Sequence, residues 1–399
     1  MSKHRIESLS IGRGVAGAIV LALLLALSLP SATYGAGTRC ADSAARATSD
    51  AGTHAGGQRN AYRAAVLQVA EAYHVPGVVA GVWVPGQEPW RIAHGLGDVD
   101  SGAPIRFNDR FAIRSVTKSY TVTLILQLVR SKAISLEDPI EKWVPGIPNG
   151  NEITLANLAA MESGVKNYSD VEAFLSALQE DFGRPWTPDE LLAFALPFSP
   201  VFAPAAEYEY SNTNTILLGM VVEKVTGKAI AEAYRQGIFD PLGLRETSYP
   251  NSTDIPTPHP TPYIVDPATG EATECPVVNL SAFGASGGMV TTLKELHKWG
   301  KALGTGKLIG RRLHKKRLRH SRPATSGPEY DRYGIGIGEL KGWWGHTGDG
   351  LGYQAATLYD PTTGSVISVA LNSSQGVNVA EEVFKALADV VHPPEQRTR

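Results

Sequence analysis

Three short stretches carry residues that can perform acyl transfer: Ser115-Val116-Thr117-Lys118, Tyr210-Ser211-Asn212 and His346-Thr347-Gly348. A serine hydroxyl is a poor nucleophile until a base takes its proton. Lys118 lies three residues on, on the same helix face, and a lysine stripped of water loses its charge and becomes a base. Ser115 opens an apolar run, which puts it at a helix N-terminus. There the helix dipole and its own free N–H favour an oxyanion. Tyr210 precedes a second apolar helix. Its phenol titrates near about 10, and a neighbouring ammonium would lower that and make it a second base. Asn212 offers an amide to Lys118 or to a substrate carbonyl. His346-Thr347-Gly348 follows Trp343-Trp344-Gly345, an edge-strand-like run. Gly348 allows close backbone approach, and a substrate can pair with such a strand by β-augmentation. His346 and Thr347 can donate to a substrate carboxylate. Asp349 supplies a second oxyanion N–H beside that of Ser115.

Each pattern has a decoy. Ser163-Gly164-Val165-Lys166 repeats S-x-x-K, but it follows a helix and Gly164 interrupts a new one. Tyr249-Pro250-Asn251 is a turn that leads into no helix, and His54-Ala55-Gly56 lies in a small-residue lead-in. Gly284-Ala285-Ser286-Gly287-Gly288 matches the G-x-S-x-G elbow, with Asp331 or Glu339 and then His346 in the required order. The elbow needs a buried strand directly before its serine. Ser281-Ala282-Phe283 intervenes, so Ser286 is set aside.

The elements that must hold these groups alternate in type. A helix is expected over Asn60–Tyr73, then strands Val78–Val84 and Trp90–His94 about a Pro85-Gly86-Gln87 turn. The middle is helical: Ser115–Val129, Leu155–Met161, a helix opened by the Thr187-Pro188-Asp189-Glu190 capping box, and Thr213–Val225 closed by Gly227. Thr292 caps a further helix to about Leu303. Strands return at Tyr333–Ile337, Lys341–Gly345, Tyr353–Tyr359 and Val366–Leu371, with a turn at Asp360–Gly364 and a last helix over Val379–Val391. Strands at both ends with helices between imply one α/β sheet built from both termini. The site then falls in the crevice against the helical insertion.

The chain has 399 residues and a formal net charge of −2, which argues against a general nucleic-acid partner. One segment departs from that balance. Residues 311–322 (RRLHKKRLRHSR) form a basic helix, either a solvated face or a contact to an anionic envelope polymer or membrane. At the N-terminus a basic stretch with Lys3, Arg5 and Arg13, an apolar Val15–Leu29 run and small residues to Ala36 read as a secretory signal. The expected divisions are a signal over 1–35, a flexible lead-in over 36–58, one hydrolase domain over 59–392 with helical insertion near 130–285, and a tail. Secretion follows from the signal. Cys40 and Cys275, the only cysteines, can pair in an oxidising compartment. No histidine pair has metal-ligand spacing, so neither metal nor cofactor is expected.

With these motifs placed, the chain resembles the penicillin-recognising serine hydrolases, and within them the soluble D-alanyl-D-alanine carboxypeptidases and class C β-lactamases. The likeness runs from about Pro76 to Leu387 and includes Leu242-Gly243-Leu244, Ser286-Gly287-Gly288-Met289 and Tyr333-Gly334-Ile335-Gly336. It implies a β-lactamase/transpeptidase-like fold and an acyl-enzyme on Ser115. Lys118 is then its partner, Tyr210 the general base/acid, Asn212 a substrate and lysine contact, and the His346-Thr347-Gly348 strand the docking edge. It implies a monomer acting on peptidoglycan stem peptides or β-lactams, with D-Ala-D-Ala carboxypeptidase or transpeptidase activity expected. β-Lactamase, carboxylesterase and D-amino-acid amidase or aminopeptidase activities are the alternatives, and a muropeptide or β-lactam sensor is the non-enzymatic one. His346 stands where class C enzymes carry lysine. Gly338-Glu339-Leu340 shows no arginine for a terminal carboxylate.

Overall fold

The computed structural model describes residues 51–393. Its centre is a nine-stranded antiparallel sheet drawn from both halves of the chain. In chain order the strands are β1 Gly77–Trp83, β2 Trp90–Asp98, β3 Ala103–Pro104, β4 Arg322–Pro323, β5 Arg332–Tyr333, β6 Gly338–Leu340, β7 Trp343–Gly350, β8 Tyr353–Tyr359 and β9 Val366–Leu371. Their order across the sheet is β3-β2-β1-β9-β8-β7-β6-β5-β4. The N-terminal β1 joins the C-terminal β9 in register, Val78 opposite Leu371 and Trp83 opposite Val366. β9 is buried throughout and β1 nearly so, as expected of central strands covered on both faces.

Helix α1 (Ala51–Ala72) and the final helix pack together on one face, where Tyr62 and Val66 meet Val78, Ala80, Phe384 and Leu387. The helix Leu293–Thr305 covers the other face. It lies so close that a Cβ on Gly300 would meet Thr357 Oγ1 at 2.1 Å. Helix α2 (Val116–Arg130) is buried over its first eleven residues and runs from the sheet into the helical half, against α3 (Asn212–Thr226). That burial is what removes water from Lys118.

Most expected elements are present with shifted ends. Four differences matter. Helix α1 already includes residues 51–58, which composition alone assigned to a flexible lead-in. The expected Tyr333–Ile337 strand is instead two short strands, β5 and β6, with a turn between. Lys341, expected in a strand, takes φ +56° in the β6–β7 turn, and β7 runs on to Gly350. Thr292 is the N-cap of Leu293–Thr305 but makes no side-chain cap. Glu295, the acid of that pattern, instead accepts Arg245 N–H and Glu246 N–H. The signal and Cys40 lie outside the described residues. Cys275 is buried, and burial pushes its thiol up to about 12.

Candidate active site

Ser115 is the N-cap of α2, and the residue before it, Arg114, is held at φ +47°. A non-glycine residue in that region stores strain and marks a turn fixed by its surroundings. The fixing is visible. Arg114 Nε donates to Gly350 O at 3.1 Å and Nη2 to Leu351 O at 2.6 Å, and the guanidinium lies over Phe283. The nucleophile turn is thereby tied to the end of β7.

Lys118 is fully buried, with Nζ 2.8 Å from Ser115 Oγ and donating to Ser286 O at 2.9 Å. Burial alone drives its pKa well below the ordinary lysine value. Desolvation thus favours the deprotonated amine, the form that can take the serine proton across this contact. Sequence reasoning found this pair but missed its anchor. The Ser286 carbonyl lies in a helical turn, Gly284–Gly287, inside the stretch set aside as a false elbow. Ser286 Oγ itself donates to Phe283 O at 2.5 Å. Ser163 Oγ is likewise bound to Asn214 Oδ1 at 2.6 Å, so neither decoy serine is paired with a base.

Tyr210 stands just before the N-cap of α3, its N–H on Ser326 Oγ and its ring 5.0 Å from Lys118 Nζ. The phenol was expected to be lowered by a neighbouring ammonium. The reverse holds: burial pushes it up, and the Ser115 hydroxyl pulls it only partway back. The reason is that the lysine is itself desolvated and meets the ring face. The Tyr210 hydroxyl is buried yet closes no hydrogen bond of standard geometry, so it is a proton donor held in reserve beside Ser115.

Asn212 does not hold Lys118. Its Nδ2 donates to Ser169 Oγ at 2.8 Å and its N–H to Asn167 Oδ1 at 2.9 Å, because α3 starts there and the Asn167–Asp170 turn caps it. The lysine contact expected of it is made by Ser286 O.

The β7 strand presents a half-open edge. β6 pairs only with Trp343–Gly345, leaving His346–Gly350 bonded to β8 on one side. Thr347 N–H points away from β8, donating to Tyr330 OH at 2.7 Å. Strand alternation gives the Asp349 N–H the same direction. Gly348 crosses directly over the nucleophile turn: a Cβ there would meet Ile113 O at 2.2 Å and Ser115 N at 2.9 Å. Only glycine lets the strand pass this close, and the passage brings the backbone of residues 348–349 beside that of Ser115.

His346 overturns an expectation. It was to donate to a substrate carboxylate, but its ring is fully buried, Nδ1 2.6 Å from Thr347 O and Nε2 3.1 Å from Tyr333 OH. The carbonyl fixes the proton on Nδ1, and Nε2 accepts from Tyr333. Burial first, then the nearby Lys118, lowers its pKa to about 3, so the ring is neutral. Thr347 Oγ1 is also engaged, 3.0 Å from Tyr330 OH. Tyr330 and Tyr333, which brace the motif from behind, were not singled out as site residues. Asp349 keeps its carboxyl under Gln354 Nε2 at 2.9 Å, and burial lifts it to about 6.

A serine at a helix N-terminus, a desolvated lysine on its hydroxyl, a buried phenol beside it and an open strand edge over it define a serine hydrolase of the acyl-transfer type. The chain belongs to the Beta-lactamase family, whose pattern it matches over residues 62–392. It is similar in structure to a D-stereospecific amidohydrolase from Streptomyces sp., with 30% identity, a TM-score of 0.71, and 81% of this chain and 97% of that one covered. The D-amino acid amidase of Ochrobactrum anthropi SV3 shares the fold at 24% identity and a TM-score of 0.75, covering 84% of this chain and 98% of that one. Esterase EstB of Burkholderia gladioli is 30% identical over 186 residues, 43% of this chain and 47% of its own. The chain spans only 33% to 64% of the length of the curated relatives it matches first.

Proposed function

We propose that this protein is a secreted serine acyl-hydrolase that cleaves amide bonds of D-amino-acid residues through an acyl-enzyme on Ser115. The observation that carries the reading is the desolvated Lys118 amine 2.8 Å from Ser115 Oγ. The substrate's carbonyl oxygen lies between the N–H groups of Ser115 and Asp349. Lys118 takes the Oγ proton as Oγ attacks the carbonyl carbon. The leaving amine collects a proton from the Tyr210 phenol, which Lys118 replenishes, and the C–N bond breaks to leave the ester on Ser115. Water then attacks that ester, giving its proton back through the same pair.

Two observations narrow the substrate. The likeness to the Streptomyces D-stereospecific amidohydrolase supports the D configuration. The side chains expected to hold a terminal carboxylate are committed elsewhere: His346 is neutral and buried, and Thr347 is bound to Tyr330. An uncharged leaving group therefore suits this site better than the charged end of D-Ala-D-Ala. The basic and apolar N-terminal stretch supports secretion.

The test is turnover of D- and L-alanine amide and of a D-Ala-D-Ala peptide, with intact-mass detection of adducts from a fluorescent penicillin. The D-amide should be cleaved in preference to the L-amide and to the peptide, and Ser115→Ala should form no adduct. Faster cleavage of the peptide would restore the carboxypeptidase. An adduct mapped to Ser163 or Ser286 would remove the site.

A further inference from the structure

The basic helix Arg311–Arg319 is left unused by the chemistry at Ser115. Its exposed side lines an open groove of about 670 Å³ formed by Arg311, Arg312, Lys315, Lys316, Arg319 and His320 and by no other residue. Acidic partners reach only its margins. Lys316 pairs with Glu137 at 2.7 Å, and His320 with Glu162 at 3.3 Å. Among the described residues Arg311, Arg312, Lys315 and Arg319 have no ion pair, and all four are exposed. The sixth cation on the helix, Arg317, turns inward and is buried. It donates to Ile335 O at 2.9 Å and to Thr123 Oγ1 on α2 at 2.9 Å. The platform is thus bolted to the catalytic helix and presents an uncompensated positive face on a chain whose net charge is −2.

We propose that this face is a docking surface for a linear polyol-phosphate polymer, a chain of phosphodiesters joined by short polyols. Arg311, Lys315 and Arg319 stand one above another, about 6 Å apart at each step of the helix. Successive phosphodiesters on a flexible backbone can meet successive cations at that spacing. The lining favours such a polymer over two other polyanions. It offers no Phe, Tyr or Trp ring, and its one imidazole, His320, lies at the margin against Glu162, so the bases of a single-stranded nucleic acid find little to stack on. It offers no apolar side chain for a membrane either, because Leu313 and Leu318 pack against the core. Binding here is independent of the acyl-transfer reading and holds the enzyme on an anionic matrix while Ser115 works.

The experiment is fluorescence anisotropy of end-labelled poly(glycerol phosphate) with the full chain across a salt series. The wild type should bind and weaken as salt rises. The triple variant Arg311→Gln, Lys315→Gln, Arg319→Gln should lose about tenfold or more in affinity, and its salt slope should fall by about 2, at ~0.7 per phosphate contact on a single-stranded polyanion. Its acylation by fluorescent penicillin should equal that of the wild type. The pair Arg59→Gln, Arg63→Gln, exposed on α1, should leave the slope unchanged. Absence of wild-type binding at low salt, an unchanged triple variant, or an equal loss in the α1 pair would overturn the proposal. So would tighter binding, at equal phosphate, to an oligothymidylate, to duplex DNA or to phosphatidylglycerol vesicles.

Discussion

His346 should govern how the fold responds to acid, and not how the substrate binds. Its ring is fully enclosed by Tyr330, Tyr333 and the Thr347 carbonyl, and its pKa falls from 6.5 to about 3. The sign follows from linkage. Between those values the unfolded chain binds a proton that the folded chain refuses, so stability is full above the unfolded pKa and drains away as pH falls toward the folded one. One pKa unit is worth about 1.4 kcal/mol, so acidification to about pH 5 should cost about 2 kcal/mol through this residue alone. The perturbation is His346→Gln, which keeps polar groups but cannot charge. The assay is guanidinium unfolding of both proteins at about pH 7.5 and about pH 5. Other groups titrate in this range, Asp349 near about 6 and Glu381 near about 7. They are common to both proteins and cancel in the difference. The wild type should lose about 2 kcal/mol more than the variant. Its substrate KM should show no inflection near the ordinary histidine value. Parallel losses in the two proteins would refute the buried neutral ring, and a KM inflection that disappears in the variant would return His346 to carboxylate binding.

Lys118→Ala should cost at least as much in the acylation rate constant as Tyr210→Phe, because Nζ is bonded to Ser115 Oγ while the phenol only stands beside it; wild-type acylation by Lys118→Ala would end the assignment of the base. Acylation should fall on the acid side of its pH profile as Lys118 gains a proton, with the midpoint below the ordinary lysine value; a profile that stays flat until the lysine range would show the amine to be charged at rest. Gly348→Ala should lower acylation by about 100-fold, since its methyl would enter the space of Ile113 O and Ser115 N and move the strand off the nucleophile; a near-normal rate in the folded variant would detach β7 from the oxyanion site. Asn212→Ala should lower acylation less than about tenfold, its amide being spent on Ser169; a loss equal to that of Lys118→Ala would place it on the lysine after all.

Local sequence determined what depends on near neighbours. The i, i+3 spacing of Ser115 and Lys118 put both on the first turn of α2, and the Thr187 capping box and the Gly227 stop formed as their chemistry requires. The strands at both ends were legible because Val78–Trp83 and Val366–Leu371 are apolar runs of strand length, interrupted only by Gly81 and Ser368. What tertiary structure alone decided is the electrostatic state of each group. A motif names a lysine, a tyrosine or a histidine, but whether it is charged depends on what covers it. Residues far away in sequence supply those surroundings: Ser286 for Lys118, Tyr333 for Tyr210, Tyr330 and Tyr333 for His346. Desolvation is a property of the packed surroundings and not of the residue. It lowers the pKa of Lys118 in the direction that the proposed base requires, and it made His346 a neutral brace where the motif suggested a cationic hand.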